Sequence, residues 1–230
     1  PEALPAFLPG TLDENGIGPR DTGENQWHPD QGDCGDLAGK ERILTRLTRL
    51  HAYEGPAFFR RNVEAVPLPG ERVFLEAERS RELSLFLDGR KVVPYTEGTV
   101  STPYVFEITE QMRKGKVEIC LCCDNRYSSW PYEAIVYSSA ATDETQTNWN
   151  GILGYLRLRY EKENFISAIR IYPYGKEADA VLEVDCSVPY EGSIYLSCRA
   201  FAHEVEKKVS VPAGRHQVRF RGISFAENVR

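Results

Sequence analysis

No apolar run in these 230 residues approaches the roughly 20 needed to span a bilayer, and no basic-then-apolar leader opens the chain. A membrane partner is therefore not expected. Pro1 lacks an initiator Met, so the numbering is expected to begin inside a longer gene product. Basic tracts are also lacking: 28 Lys+Arg against 34 Asp+Glu give a net charge of −6, which argues against nucleic acid as a partner. The four histidines, His28, His51, His203 and His216, show neither HxxxH nor HxH spacing, so they point to no metal site and no catalytic triad. Helical periodicity is nearly absent. Ile43, Leu44, Leu47 and Leu50 fit a helix template, but arginines at 42, 46 and 49 leave that assignment open.

Cysteine is present without a metal-binding pattern. Cys120, Cys122 and Cys123 fall in the strand-like run Val117–Cys123, where alternation puts Cys120 and Cys122 on one face and Cys123 on the other. A zinc knuckle needs a turn between its ligands, so no metal is expected there. Cys186 and Cys198 could meet across a hairpin centred near Gly192 and form a disulfide. The reading preferred for all six, Cys34 included, is reduced thiols, which favours a cytoplasmic compartment and leaves a secreted or periplasmic one open. Asp30, Asp33 and Asp36 with Gly32 and Gly35 could offer oxygens to calcium, but the loop lacks the twelfth-position Glu of an EF-hand, and neither metal nor cofactor is expected.

What the chain has is many short strand signals. They include Val73–Glu78, Leu83–Leu87, Arg90–Val93, Tyr104–Ile108, Val117–Cys123, Ala134–Tyr137 and Tyr155–Tyr160. Asp88-Gly89 between two such runs marks a tight hairpin, because Gly readily takes φ > 0. Leu156, Leu158 and Tyr160 share one face of the last run, with Arg157 and Arg159 on the other. Beyond a polar joint at 161–164 come Ile166–Tyr172, Ala180–Val188, Ser193–Ala200, Val205–Val211 and His216–Phe220. The spacing of turns predicts an all-β protein of two sandwiches, residues 1–162 and 163–230. The second set supplies about five strands where an immunoglobulin-like sandwich has about seven, so that domain is expected to be incomplete.

The most distinctive stretch runs from Asp143 to Gly154. Asp143, Gln146, Thr147, Asn148 and Asn150 place a carboxylate, amides and a hydroxyl around the indole of Trp149. Polar groups of this kind bond sugar hydroxyls, and an aromatic face covers the apolar side of a sugar ring. The plainer reading is that Trp149 packs under the final strand while Asn148 and Asn150 bond loop backbone. Trp27 and Trp130, each close before a proline, are further stacking candidates or loop anchors.

The run Thr145-Gln146-Thr147-Asn148-Trp149-Asn150-Gly151-Ile152 resembles the end of the first β-sandwich domain of glycoside hydrolase family 2, and is most similar to β-galactosidase-like members. Other landmarks follow in the family's order: Leu8-Pro9-Gly10-Thr11, Tyr53-Glu54-Gly55-Pro56-Ala57 with Arg60-Arg61, Leu87-Asp88-Gly89, Ser101–Tyr104 with Lys114-Gly115, and Asp124-Asn125. The resemblance favours strand or irregular structure over helix near residues 43–50. It implies a jelly-roll-like, galactose-binding-like sandwich followed by an immunoglobulin-like one. It further implies that the chain braces a C-terminal catalytic barrel of the same parent chain, which acts on a glycan substrate by the retaining scheme. Asn125 joins the Asp143–Asn150 group as a candidate carbohydrate-binding or active-site-rim residue.

The family's acid/base glutamate directly follows an asparagine, and this chain has no Asn-Glu dipeptide, only Glu-Asn at 14–15, 24–25, 163–164 and 227–228. No catalytic residue is therefore assigned, and the chain alone is expected to be inactive. Some β-galactosidases carry an acidic residue two positions before the aromatic one, where this chain has Thr147. Two other function classes stay open: a free-standing lectin-like module, and a structural or adhesive array of sandwich domains.

Overall fold

The computed structural model describes residues 3–20, 49–99, 102–131 and 147–227. They divide into two compact units, residues 1–67 with 73–159 and residues 68–72 with 160–230. The described elements are strands and one short helical turn, as an all-β protein requires.

The first unit holds β1 (Gly10–Thr11), β2 (Pro56–Glu64), most of β3 (Glu71–Ala77), β4 (Glu82–Leu87), β5 (Arg90–Val92), β6 (Tyr104–Glu107), α1 (Thr109–Met112), β7 (Lys116–Asp124), β8 (Gly151–Ile152) and most of β9 (Leu156–Lys162), with Glu71 and Arg72 of β3 and residues 160–162 of β9 in the second. Two sheets, ordered β2-β7-β4-β5 and β6-β3-β9, enclose one apolar core, and β1 pairs with β8 at its margin. Alternation sets the layers. Val117, Ile119, Leu121 and Cys123 of β7 are buried, opposite Leu83, Leu85 and Leu87 of β4. Cys120 and Cys122 lie on the other face, as the period of two demands.

The Asp88-Gly89 hairpin forms between β4 and β5, with φ of 47° and 76° at the two turn residues. Those values suit the primed turns whose twist matches a hairpin. In β9, Leu156 and Leu158 pack on the core. On the opposite face Arg157 and Arg159 donate to the buried carboxylate of Glu76 at 2.8 and 2.6 Å. Arg159 also covers Phe74 at 4.7 Å. Thr109 Oγ1 accepts the Val73 N–H at 2.9 Å, which ties α1 to β3.

The second unit holds β10 (Asn164–Tyr174), β11 (Glu177–Cys186), β12 (Tyr190–Leu196), β13 (Val205–Val211) and β14 (Gly214–Ser224). Its sheets are ordered β10-β11-β14 and β12-β13, with Ala180, Leu182, Val184, Ile194, Leu196, Val218 and Phe220 in the core between them. Asp185, almost sealed from solvent, takes Arg72 at 2.7 Å and Arg215 at 3.3 Å.

The alternative of a hairpin at Gly192 joining Cys186 and Cys198 is not what this topology forms. Gly192 lies inside β12, which pairs with β13, whereas β11 pairs with β10 and β14. Cys186 is therefore buried and Cys198 exposed, each a free thiol, and no β11–β12 ladder brings them together. Local spacing suggested a neighbouring pair, but sheet pairing is non-local and β14 takes the place beside β11. The expected strand Ala134–Tyr137, residues 43–48 of the helix-like pattern, Trp27, Cys34 and the 30–36 aspartate cluster lie outside the described residues.

Candidate functional site

Thr147–Asn150 lead into β8 and then β9, and they are held from two sides. On one side the turn at 78–81 docks against 151–154. Ser80 Oγ donates to the Gly151 carbonyl at 3.0 Å, and the Leu153 and Gly154 amides donate to Arg79 O and Glu78 O at 3.0 and 3.1 Å. Gly154 permits this approach, because a Cβ there would meet Glu78, and Gly151 permits the pairing of β8 with β1. Gly151 has a φ of +133°, and a Cβ there would collide with the Gly10 carbonyl oxygen across the β1–β8 pair.

On the other side three asparagines interlock. Asn125, fully buried, accepts the Gly55 N–H at 2.9 Å and donates to the carbonyls of Tyr53 and Asn148 at 2.8 and 2.9 Å. Asn148 Nδ2 donates to Asn125 O at 3.0 Å, and Asn150 Nδ2 donates to Gly55 O at 2.7 Å and Cys123 O at 3.2 Å. Each amide thus bonds the backbone of a neighbouring segment, a common use of a buried asparagine.

Trp149 is 8% exposed and Arg81 is 1% exposed. The Arg81 guanidinium lies 4.0 Å from the centroid of the indole and 5.6 Å from that of Tyr127, and donates to Thr147 O at 3.2 Å. Burial pulls the Arg81 pKa down to about 10, which still leaves it charged at neutral pH. One face of the indole is thereby taken by a cation, and that face is closed to a sugar ring. Among the described residues the indole N–H and Asn150 Oδ1 are sealed from solvent without a hydrogen-bond partner.

Beside Trp149 lies a recess of about 230 Å³, lined also by Asp13, Glu14, Arg49, His51 and Tyr53. Its carboxylates are already engaged. Asp13 Oδ1 accepts the Leu50 and His51 amides at 3.0 and 2.7 Å, and Glu14 Oε2 accepts the Thr11 amide at 2.7 Å. His51 Nδ1 stands 3.4 Å from Asp13 without hydrogen-bond alignment. Both carboxylates thus order the backbone of the turn at 11–14 and of residues 50–51.

The structure thus brings together Asn125, Thr147, Asn148, Trp149 and Asn150. Asp143 and Gln146 lie outside the described residues. Trp130 sits apart from the recess and is half-buried. Arg81 was not singled out by sequence reasoning. Glu78-Arg79-Ser80-Arg81 reads as a charged cluster after a strand, and no one-dimensional spacing marks which arginine turns inward. Among the described residues no group of three or more His, Cys, Asp or Glu side chains is placed to hold a metal ion.

No protein-family model matches the chain, and no curated protein matches it by sequence. Solved structures do match it. One described as a candidate β-galactosidase from Bacteroides fragilis aligns at a TM-score of 0.58 and 16% identity, covering 80% of this chain and 30% of that one. A family 2 β-galacturonidase from Eisenbergiella tayi aligns at 0.55 and 18%, covering 75% and 30%. A β-D-mannosidase from Dictyoglomus thermophilum aligns at 0.52 and 15%, covering 93% and 28%. The chain shares the fold of part of these glycosidases, family 2 among them, and spans under a third of the length of each.

Proposed function

We propose that the chain is the non-catalytic N-terminal region of a retaining family 2 glycosidase of β-galactosidase-like type. Its first sandwich is then the jelly-roll-like domain and its second the immunoglobulin-like one. They brace a catalytic barrel that lies outside these residues, and the segment ending at Asn150 contributes to the barrel's substrate rim. The observation that carries this reading is the coverage: most of this chain aligns with under a third of each glycosidase it resembles. The order of the sequence landmarks and the all-β architecture support it. So does the sequence itself, which carries no Asn-Glu dipeptide of the kind that holds the family's acid/base glutamate.

On this reading Trp149 is an anchor. It fixes the end of the rim segment, with Arg81 beneath it and the asparagines behind it, and sugar contacts fall to groups the segment presents elsewhere. A shallow surface of this kind holds a monosaccharide weakly, because it cannot bury most of the ligand. Titration calorimetry of the 230-residue chain with galactose, glucuronate and mannose should show binding no tighter than about millimolar. Micromolar affinity for any of them would put the lectin-like reading in its place.

A further inference from the structure

The outer face of the sheet β2-β7-β4-β5 carries two thiols that the proposed function leaves unused. Cys120 and Cys122 of β7 are half-buried on this face, while Cys123 points into the core. Residues directly opposite in antiparallel pairs share a face, so the neighbours of the thiols follow from the register. Cys122 stands beside Phe58 of β2, and Cys120 stands between Arg60 of β2 and Phe86 of β4. Lys91 of β5 lies beyond Phe86. Glu118 and Asp124 continue the row along β7, and Arg126 holds Asp124 through Nε and Nη2 at 3.0 and 2.6 Å.

The spacing decides what the pair can do. Two positions along a strand advance about 6.7 Å, and side chains on one face keep about that separation at Cβ. A disulfide needs its Cβ atoms about 3.8 Å apart, so these thiols cannot join without bending the strand. β7 resists bending, because β2 and β4 pair with it on both sides over this stretch. A metal ion lengthens the bridge. Sulfur–metal bonds of about 2.3 Å, as in zinc thiolates, set two sulfurs about 4.6 Å apart when the metal lies in line between them. Each Sγ reaches that position by leaning toward the other along the strand, a direction that strand side chains adopt. Tetrahedral zinc is not served by this face, which offers two thiols where zinc takes four ligands. Thiolates select soft cations, copper(I) among them.

We propose that Cys120 and Cys122 form a two-coordinate site for a soft monovalent cation, copper(I) or silver(I), held in line between the two thiolates. Binding breaks two S–H bonds and forms two sulfur–metal bonds. Both protons leave to solvent, and no oxidation state changes. The product carries one net negative charge, and Arg60, Lys91 and Arg126 stand near it. Burial raises both thiols above their ordinary range, with Glu118 adding at Cys120, and Asp124 and then Cys120 adding at Cys122. Arg60 opposes the shift at Cys120, and Arg126 and Lys91 oppose it at Cys122. The two thiols are therefore within electrostatic reach of each other and of the cations that favour their ionised forms.

The test uses the 230-residue chain in a Cys34→Ser, Cys198→Ser background, which removes the exposed thiol and the one outside the described residues. Copper(I) is titrated without oxygen against a chromogenic copper(I) chelator. One ion per chain should bind, and its X-ray absorption spectrum should show two sulfurs. Cys120→Ser and Cys122→Ser should each weaken binding by about 100-fold or more, and Cys123→Ala should change it by less than about threefold. Serine is close in size to cysteine and both positions are half-buried, so these variants should keep the fold, which circular dichroism checks. Alkylation of the unsubstituted chain, mapped by mass spectrometry, gives a second reading that needs no variant. Copper(I) should protect Cys120 and Cys122 together. Unchanged affinity in either serine variant would overturn the inference, as would protection of one thiol alone or two ions bound at the pair.

Discussion

The Arg81 guanidinium lies 4.0 Å from the centroid of the Trp149 indole, and the two side chains shield each other from solvent at 1% and 8% exposure. A buried cation is costly unless it is well placed. Here the planar fork gains the ring's negative face and the Thr147 carbonyl together. The pair ties the turn after β3 to the segment before β8, which are 68 positions apart from Arg81 to Trp149.

Arg81→Ala should cost about 3 kcal/mol through the cavity and the lost hydrogen bond. Arg81→Lys should recover only part of this, because an ammonium lacks the planar stack. Urea denaturation checks the magnitude. Trp149 emission, isolated by difference from Trp149→Phe, should shift to the red in Arg81→Ala. Unchanged stability and emission would show that the contact does not hold the segment.

Asn125→Asp is a sharper probe than Asn125→Ala. The substitution turns the amide that donates to Tyr53 O and Asn148 O into an oxygen facing two carbonyls. A cost of about 2–4 kcal/mol at pH 7 is expected from leaving those groups buried and opposed. Protonation gives the new carboxyl a donor, so its folded pKa is raised, and the deficit should shrink as pH falls toward about 5. A deficit independent of pH would mean that packing, and not the hydrogen bonds, sets the value of Asn125.

How far the sequence reaches can be judged element by element. The Asp88-Gly89 turn, the alternation of β7 and the two-faced β9 were legible because each depends on residues within a few positions of one another. The site was legible as a group of residues, but the way it is used was not. Asn148 and Asn150 look like hydrogen-bonding groups offered to a ligand until their partners Asn125, Gly55 and Cys123 are known. Those partners come from distant strands, and pairing at that range leaves no periodic trace. The same reason hid Arg81 and left the Gly192 hairpin an open alternative.

Alkaline pH should loosen the first unit. Burial raises the Tyr104 hydroxyl and the Cys123 thiol, each to about 12, from ordinary values of 10.0 and 9.0. Both groups stay neutral in the fold while the unfolded chain ionises. Their contribution is therefore complete below pH 9 and is lost as pH rises through the window from 9 to 12. Tyr104→Phe should flatten the upper part of that decline, followed by urea midpoints from pH 8 to 11. Equal slopes for wild type and variant would show that Tyr104 does not titrate with unfolding.

Thiol reactivity should follow depth. Cys198 is exposed, Cys120 and Cys122 are half-buried with pKa raised by desolvation, and Cys123 and Cys186 are buried. Among these five, a native-state reaction with an aromatic disulfide reagent should modify Cys198 first, Cys120 and Cys122 slowly, and Cys123 and Cys186 only on unfolding. Alkylation of the unfolded chain without reductant, followed by mass measurement, should count six modified thiols. A mass two lower for any bridge would contradict the reduced state.

On the proposed reading this chain supports catalysis without performing it, and hydrolysis of nitrophenyl glycosides by the purified 230-residue chain tests that most directly. The account predicts no turnover above the buffer rate with galactoside, glucuronide or mannoside, and release of nitrophenol by the full parent chain on at least one of them. Turnover by the 230-residue chain itself, lost on substitution of Asp13 or Glu14, would contradict it.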